Sequence, residues 1–114
     1  MNFKSYLFID DEREPANDSL GWVIVRSSQE AISWCESQNR VPSFISFDHD
    51  LGGKDTSMIF IHWMIEKDLD NPGFIPADFD YSIHSQNSVG QKNIQGLLDG
   101  YLAHRHQLKK KITL

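Results

Sequence analysis

Acids and imidazoles recur at three places in this chain, each directly after a short apolar run. Asp10-Asp11 follows Tyr6-Leu7-Phe8-Ile9, Asp48-His49-Asp50 follows Phe44-Ile45-Ser46-Phe47, and His84-Ser85 follows Tyr81-Ser82-Ile83. Carboxylates crowded together repel unless a cation or bound protons relieve them. Hard oxygen ligands suit Mg²⁺ or Mn²⁺, and Mg²⁺ is typically held by one or two carboxylates with several waters. Asp10, Asp11 and Asp48 are the candidate ligands, with Asp50 a further one. Capping is the alternative: Asp10 closing its own turn, Asp50 bonding into the Gly52-Gly53 loop.

His49 and His84 add groups that exchange protons near neutral pH, as general acid–base catalysis requires. Together with Asp48 they form a candidate catalytic set, one imidazole activating water and the other protonating a leaving oxygen of a phosphoester. Either could instead bind a transition metal, although the surrounding oxygens favour Mg²⁺ or Mn²⁺ over zinc. Capping of strand ends by two surface histidines is the plainer reading. Successive strand side chains point to opposite faces, so the loop must twist if Asp48 and His49 are to share a pocket.

Ser85, Asn87 and Ser88 precede a helix whose first backbone amides lack intrahelical partners. A phosphate could sit there against Ser85 to Gly90. Arg13 and Lys92 are possible clamps for it. N-capping alone also accounts for Asn87 or Ser88.

These residues need a frame. Tyr6–Ile9, Trp22–Arg26, Phe44–Phe47 and Tyr81–Ile83 read as strands, rich in β-branched and aromatic residues. Glu14 to Gly21 reads as a loop. Ser27 followed by Glu30 opens a helix to about Gln38. Asp55 or Thr56 opens a second, to about Lys67, apolar over most of its girth and expected to be buried on more than one side. His62 within it reads as satisfied or partly exposed. The last helix spans about Val89 to Ala103, and Lys111–Leu114 is either a short edge strand or frayed. Strands alternating with helices predict a parallel sheet with helices on both faces. The three polar clusters then lie on one edge, where α/β sheets bind ligands.

At 114 residues the chain predicts a single domain, residues 1–114, with a basic tail over about 104–114. Net charge is −5, but residues 1–103 hold seven basic and sixteen acidic side chains, which argues against broad non-specific binding to nucleic acid. The tail either touches a phosphate backbone or is a solvated basic end. No signal-peptide pattern or membrane-length apolar stretch occurs, and the single Cys35, expected to be buried packing, fits a reducing cytoplasm.

Asp10-Asp11, Asp48 and Ser85 together resemble a response-regulator receiver domain, in which the acids bind Mg²⁺ and the strand-three aspartate accepts a phosphoryl group. The chain departs from it in lacking a clear fifth strand with the receiver lysine, in nearly lacking the first helix, and in carrying His49 and His84. It more closely resembles the cyclic-phosphate processing receiver domains, through FIDDEREP (Phe8–Pro15), GWVIVRSSQEAI (Gly21–Ile32), FDHDLGG (Phe47–Gly53) and HSQNSVG (His84–Gly90), with Trp63 between. Ser88 and Ser57 stand where that pattern has proline and glycine.

This resemblance implies a receiver-like, flavodoxin-like α/β three-layer sandwich with a four- to five-stranded, mostly parallel sheet. It further implies a metal-assisted phosphoesterase acting on 2′,3′-cyclic phosphate ends of RNA or nucleotides. Asp10, Asp11 and Asp48 would then hold Mg²⁺ or Mn²⁺; Arg13, Ser85, Asn87, Gly90 and Lys92 would hold the substrate. Two alternatives are an atypical receiver phosphorylated on Asp48 and a non-catalytic module that docks a protein. The oligomeric state is not readable from the sequence.

Overall fold

The structure, a computed structural model, describes residues 5–16 and 20–112, with side chains as far as Arg105. Four strands, β1 (Tyr6–Ile9), β2 (Val23–Val25), β3 (Phe44–Phe47) and β4 (Asp80–Ile83), form one parallel sheet in the order β2-β1-β3-β4. Helices α1 (Ser28–Gln38), α2 (Ser57–Asp70) and α3 (Ser88–Ile112) follow β2, β3 and β4. Strand order reverses between β1 and β3, and ligands of open α/β sheets bind at such a switch point. Residues 17–19 of the expected Glu14–Gly21 loop lie outside the described residues.

The helix boundaries have local causes. Ser27 accepts the Glu30 amide at 3.1 Å, and the Asp55 carboxylate accepts both the amide and the hydroxyl of Ser28, so α1 starts where its cap residue predicts. Asn39, in the left-handed conformation at φ 57°, ends it. Helix α2 runs on to Asp70, just ahead of Asn71-Pro72. Helix α3 passes the expected end at Ala103 and reaches Ile112, because neither Gly nor Pro interrupts residues 101–112. Lys111 and Ile112 are therefore helical, whereas Thr113 and Leu114 lie outside the described residues. No fifth strand occurs among the described residues.

Alternation along the strands divides the sheet. Leu7, Ile9, Val25, Ile45 and Phe47 pack with Ala31 and Cys35 of α1, Phe60, Ile61 and Met64 of α2, and Ile94 and Leu98 of α3. All three helices thus bury residues in one core. Cys35 lies within it, fully buried, and burial pushes its thiol up to about 12. Helix α2 buries one side only: Ile59 and Leu69 are exposed, as is His62, because composition around a helix does not by itself supply a second partner surface. On the opposite face of the sheet lies an aromatic layer in which Trp22 meets Tyr6, Phe8 and Phe44 at ring separations of 5.6, 5.7 and 6.0 Å.

No helix among the described residues is long and apolar enough to cross a membrane.

Candidate functional site

The sheet ladder continues one residue beyond each strand. The Asp10 amide donates to Val25 O at 3.2 Å, Asp48 to Ile9 O at 2.9 Å, and His84 to Phe47 O at 2.9 Å. These bonds set Asp10, Asp48 and His84 side by side at one sheet edge. Alternation then points all three toward the side of Phe8, Ser46 and Ser82. One carboxylate oxygen from each Asp and one ring nitrogen of His84 lie within 4.8 Å of one another.

Asp10 is fully buried and its carboxylate is crowded with donors. Oδ1 accepts the amides of Glu12 (3.0 Å) and Arg13 (2.8 Å), and Oδ2 accepts Arg13 Nε (2.9 Å) and His84 Nε2 (3.0 Å). Burial alone would raise this carboxyl. The amides, His84 and the Arg13 charge outweigh burial and hold it below the usual carboxylate range. Asp48 is less engaged: its nearest cation is Arg13, Nη2 to Oδ2 at 3.5 Å.

His84 is held on both nitrogens. Opposite the Asp10 bond, Nδ1 lies 2.7 Å from Ser46 Oγ, which in turn accepts from Ser82 Oγ at 3.1 Å. With Asp10 ionised, Nε2–H donates to it and Nδ1 accepts from Ser46. The ring stacks on Phe8, centroids 4.4 Å apart and planes 6° from parallel. Burial lowers its pKa more than the neighbouring Asp10 and Asp48 carboxylates raise it, so the ring is neutral at pH 7.

His49, one residue on from Asp48, faces the other way, and the loop does not bring both into one pocket. Its ring lies against Gly90 at the start of α3, and Nδ1 bonds Asp50 Oδ1 at 3.1 Å. Nε2 has no hydrogen-bond partner among the described residues. Asp50 Oδ2 accepts Asn87 Nδ2 at 3.1 Å, and Asn87 Oδ1 accepts the Gly90 amide at 3.0 Å. Asn87 therefore caps α3 and joins the two loops. The bonds from Asn87 and His49 hold the Asp50 carboxyl below its ordinary value.

Between these loops lies a cleft of about 510 Å³ lined by Asp11, Glu12, Arg13, Asp48, Asp50, Gly52, Gly53, Ser85, Gln86 and Asn87. Several of the residues singled out in the sequence fall elsewhere. Asp11 lines the cleft but is not in the three-residue group, where His84 takes the third place. Gly90 is buried behind the cleft under His49, and Lys92 is an exposed residue of α3 outside the lining. Glu12, Gln86 and Ser46 were not foreseen. Ser46 shares the strand-face parity of Asp48, which was its one signal.

Two carboxylates and an imidazole at this spacing fit a divalent cation in number and donor type, and the group already attracts a cationic guanidinium. The imidazole shifts the preference from Mg²⁺ toward ions that take nitrogen as well as oxygen.

The family model described as "Cyclic-phosphate processing Receiver domain" matches residues 5–100. No curated protein and no solved structure matches the chain.

Proposed function

We propose, since this chain belongs to the cyclic-phosphate processing receiver domain family, that the β1/β3 edge is a metal-assisted phosphoesterase site for 2′,3′-cyclic phosphates of RNA or nucleotides. The observation that carries the reading is the convergence of Asp10, Asp48 and His84 within 4.8 Å beside a polar cleft. A bound Mn²⁺ or Mg²⁺ would neutralise charge growing on the phosphoryl oxygens. Asp10, Asp48 and His84 are its proposed holders, with Asp11 facing the cleft nearby. Arg13 and Ser85, both on the cleft wall, receive the phosphate; Asn87 fixes the loop that carries Ser85. Water attacks phosphorus, one ring P–O bond breaks, and the departing ribose oxygen takes a proton. His84 would hold a metal through Nε2 in the tautomer whose proton sits on Nδ1 and is donated to Ser46 Oγ, so Ser46 orients the ring for that role. His49 does not itself line the cleft but is bonded through Nδ1 to Asp50, which does. As proton carrier it would reach the departing oxygen from its unpartnered Nε2 only through a bridging water.

A receiver-type reading keeps one observation in its favour. Asp48 lines the cleft at the end of β3 and is the less engaged of the two central carboxylates, as a phosphoacceptor must be. A soluble cytoplasmic setting and an RNA-end or nucleotide partner accompany the enzyme reading; a docked protein partner accompanies the other.

The deciding experiment follows a nucleoside 2′,3′-cyclic monophosphate by phosphorus NMR with Mn²⁺ present. Ring opening that disappears in Asp48→Asn is expected. No ring opening by folded protein, together with an acetyl-phosphate mass shift lost in Asp48→Asn, overturns the enzyme in favour of the phosphoacceptor.

A further inference from the structure

We infer that Arg13 is the resident cation of the Asp10–Asp48 edge, and that a divalent ion enters by displacing its guanidinium from Asp48, freeing it for the substrate phosphate. The inference rests on the cation site proposed above and adds an exchange step to it.

Two cations cannot share this edge without repulsion. The Arg13 guanidinium spans the gap now, Nε on Asp10 Oδ2 at 2.9 Å and Nη2 3.5 Å from Asp48 Oδ2. The two ends differ in strength. Asp10 is buried and holds Arg13 by its backbone amide as well as by Nε, whereas Nη2 has only long contacts, to Asp48 and to His84 O at 3.4 Å. The backbone of Arg13 is also fixed from the other side, its carbonyl accepting Arg26 Nη1 at 2.6 Å. The mobile part is thus the Nη end, on a side chain 42% exposed that lines the cleft.

Release from Asp48 leaves Nε on Asp10 and frees the Nη donors. A guanidinium presents a planar fork matched to phosphate oxygens, so the freed end is suited to a phosphoryl group in the cleft. Without a metal, the same fork offsets charge on carboxylates that would otherwise repel. Arg13 thereby opposes metal binding and favours phosphate binding, and the two effects are separable.

The test is Mn²⁺ binding without substrate, followed by electron paramagnetic resonance and calorimetry on the whole chain. Arg13→Gln is expected to bind Mn²⁺ at least tenfold more tightly than the parent, and Arg13→Lys, which keeps the charge but loses the fork, to fall between. Circular dichroism confirms that both variants fold. Equal or weaker binding by Arg13→Gln, with the parent binding Mn²⁺, overturns the exchange and leaves the cation site standing. Failure of parent and variants alike to bind Mn²⁺ overturns the cation site and the exchange with it.

Discussion

The imidazole of His49 fills the space that a side chain at residue 90 would need: a Cβ built on Gly90 would lie 2.4 Å from His49 Cγ and 2.8 Å from its Cβ and Cδ2. Gly90 has no positive φ, so the demand for glycine is steric rather than conformational. The loop after β3 and the helix after β4 are fitted to each other at this point, with Asp50 and Asn87 bonded alongside.

Gly90→Ala should therefore cost stability although alanine is the better helix former. Overpacking of a fitted contact costs about 1–3 kcal/mol. Gly96→Ala, on the same helix with nothing within 4 Å of its Cβ, should instead gain up to about 1 kcal/mol. Urea unfolding of the two variants checks the sign. A gain in both would show that His49 moves aside freely.

Much of this arrangement was legible in the sequence. Three of the four strands end in an apolar run cut off by acids or histidine, and parallel β–α alternation places those ends on one edge. Parity was the harder part. Asp48 and His49 are adjacent, yet the ladder bond from Asp48 to Ile9 O carries strand geometry past Phe47, so their side chains diverge. Arg105 was equally illegible. It read as part of a solvated basic tail, but it donates to Asp68 Oδ2 at 3.2 Å and to Ile75 O at 2.8 Å. Charge in a sequence does not reveal that a buried carboxylate lies 37 residues upstream.

That carboxylate should be a structural hub. Asp68 also accepts the amides of Gly73 and Ile75 and the Tyr101 hydroxyl at 2.7 Å. Asp68→Ala strands these donors and the Arg105 charge, at a cost of about 3 kcal/mol. Hydrogen exchange should rise in residues 71–76 and in α3 from Tyr101 onward, while exchange at Asp10 and Asp48 stays unchanged. Uniform loosening of the whole chain would refute a local role.

The lowered pKa of His84 has a sign that can be worked through. In the unfolded chain it protonates near the ordinary histidine value of 6.5, whereas in the fold it stays neutral to lower pH. The unfolded state thus binds more protons between these two values, and stability rises with pH there. The contribution is complete above 6.5 and is lost as pH falls through the folded value. Between pH 7 and 5 the parent should lose stability more steeply than His84→Gln, which lacks the titrating ring. Parallel pH–stability curves from chemical denaturation would count against a buried neutral His84. Asp10, with its pKa depressed, contributes stability above the ordinary aspartate value of 3.8 that is lost as pH falls through the lower, folded value.

The two histidines should fail differently as enzyme residues, because His84 belongs to the three-residue group and His49 lies outside it, bonded to Asp50. His84 touches Asp10 and belongs to the three-residue group, so His84→Ala should raise the Mn²⁺ concentration needed for half-maximal rate as well as lower turnover. His49 contacts neither Asp10 nor the metal group but is anchored to Asp50. His49→Ala should lower turnover of a 2′,3′-cyclic phosphate by about 10²–10⁴-fold, leaving the Michaelis constant and the Mn²⁺ requirement near those of the parent. The double variant should lose much less than the product of the two single losses, since both act on one step. Loss of folding is a separate effect, because His49 also packs on Gly90, and rates are compared per mole of folded protein. Full turnover in folded His49→Ala would remove it from proton transfer and leave it as the spacer that sets the two loops.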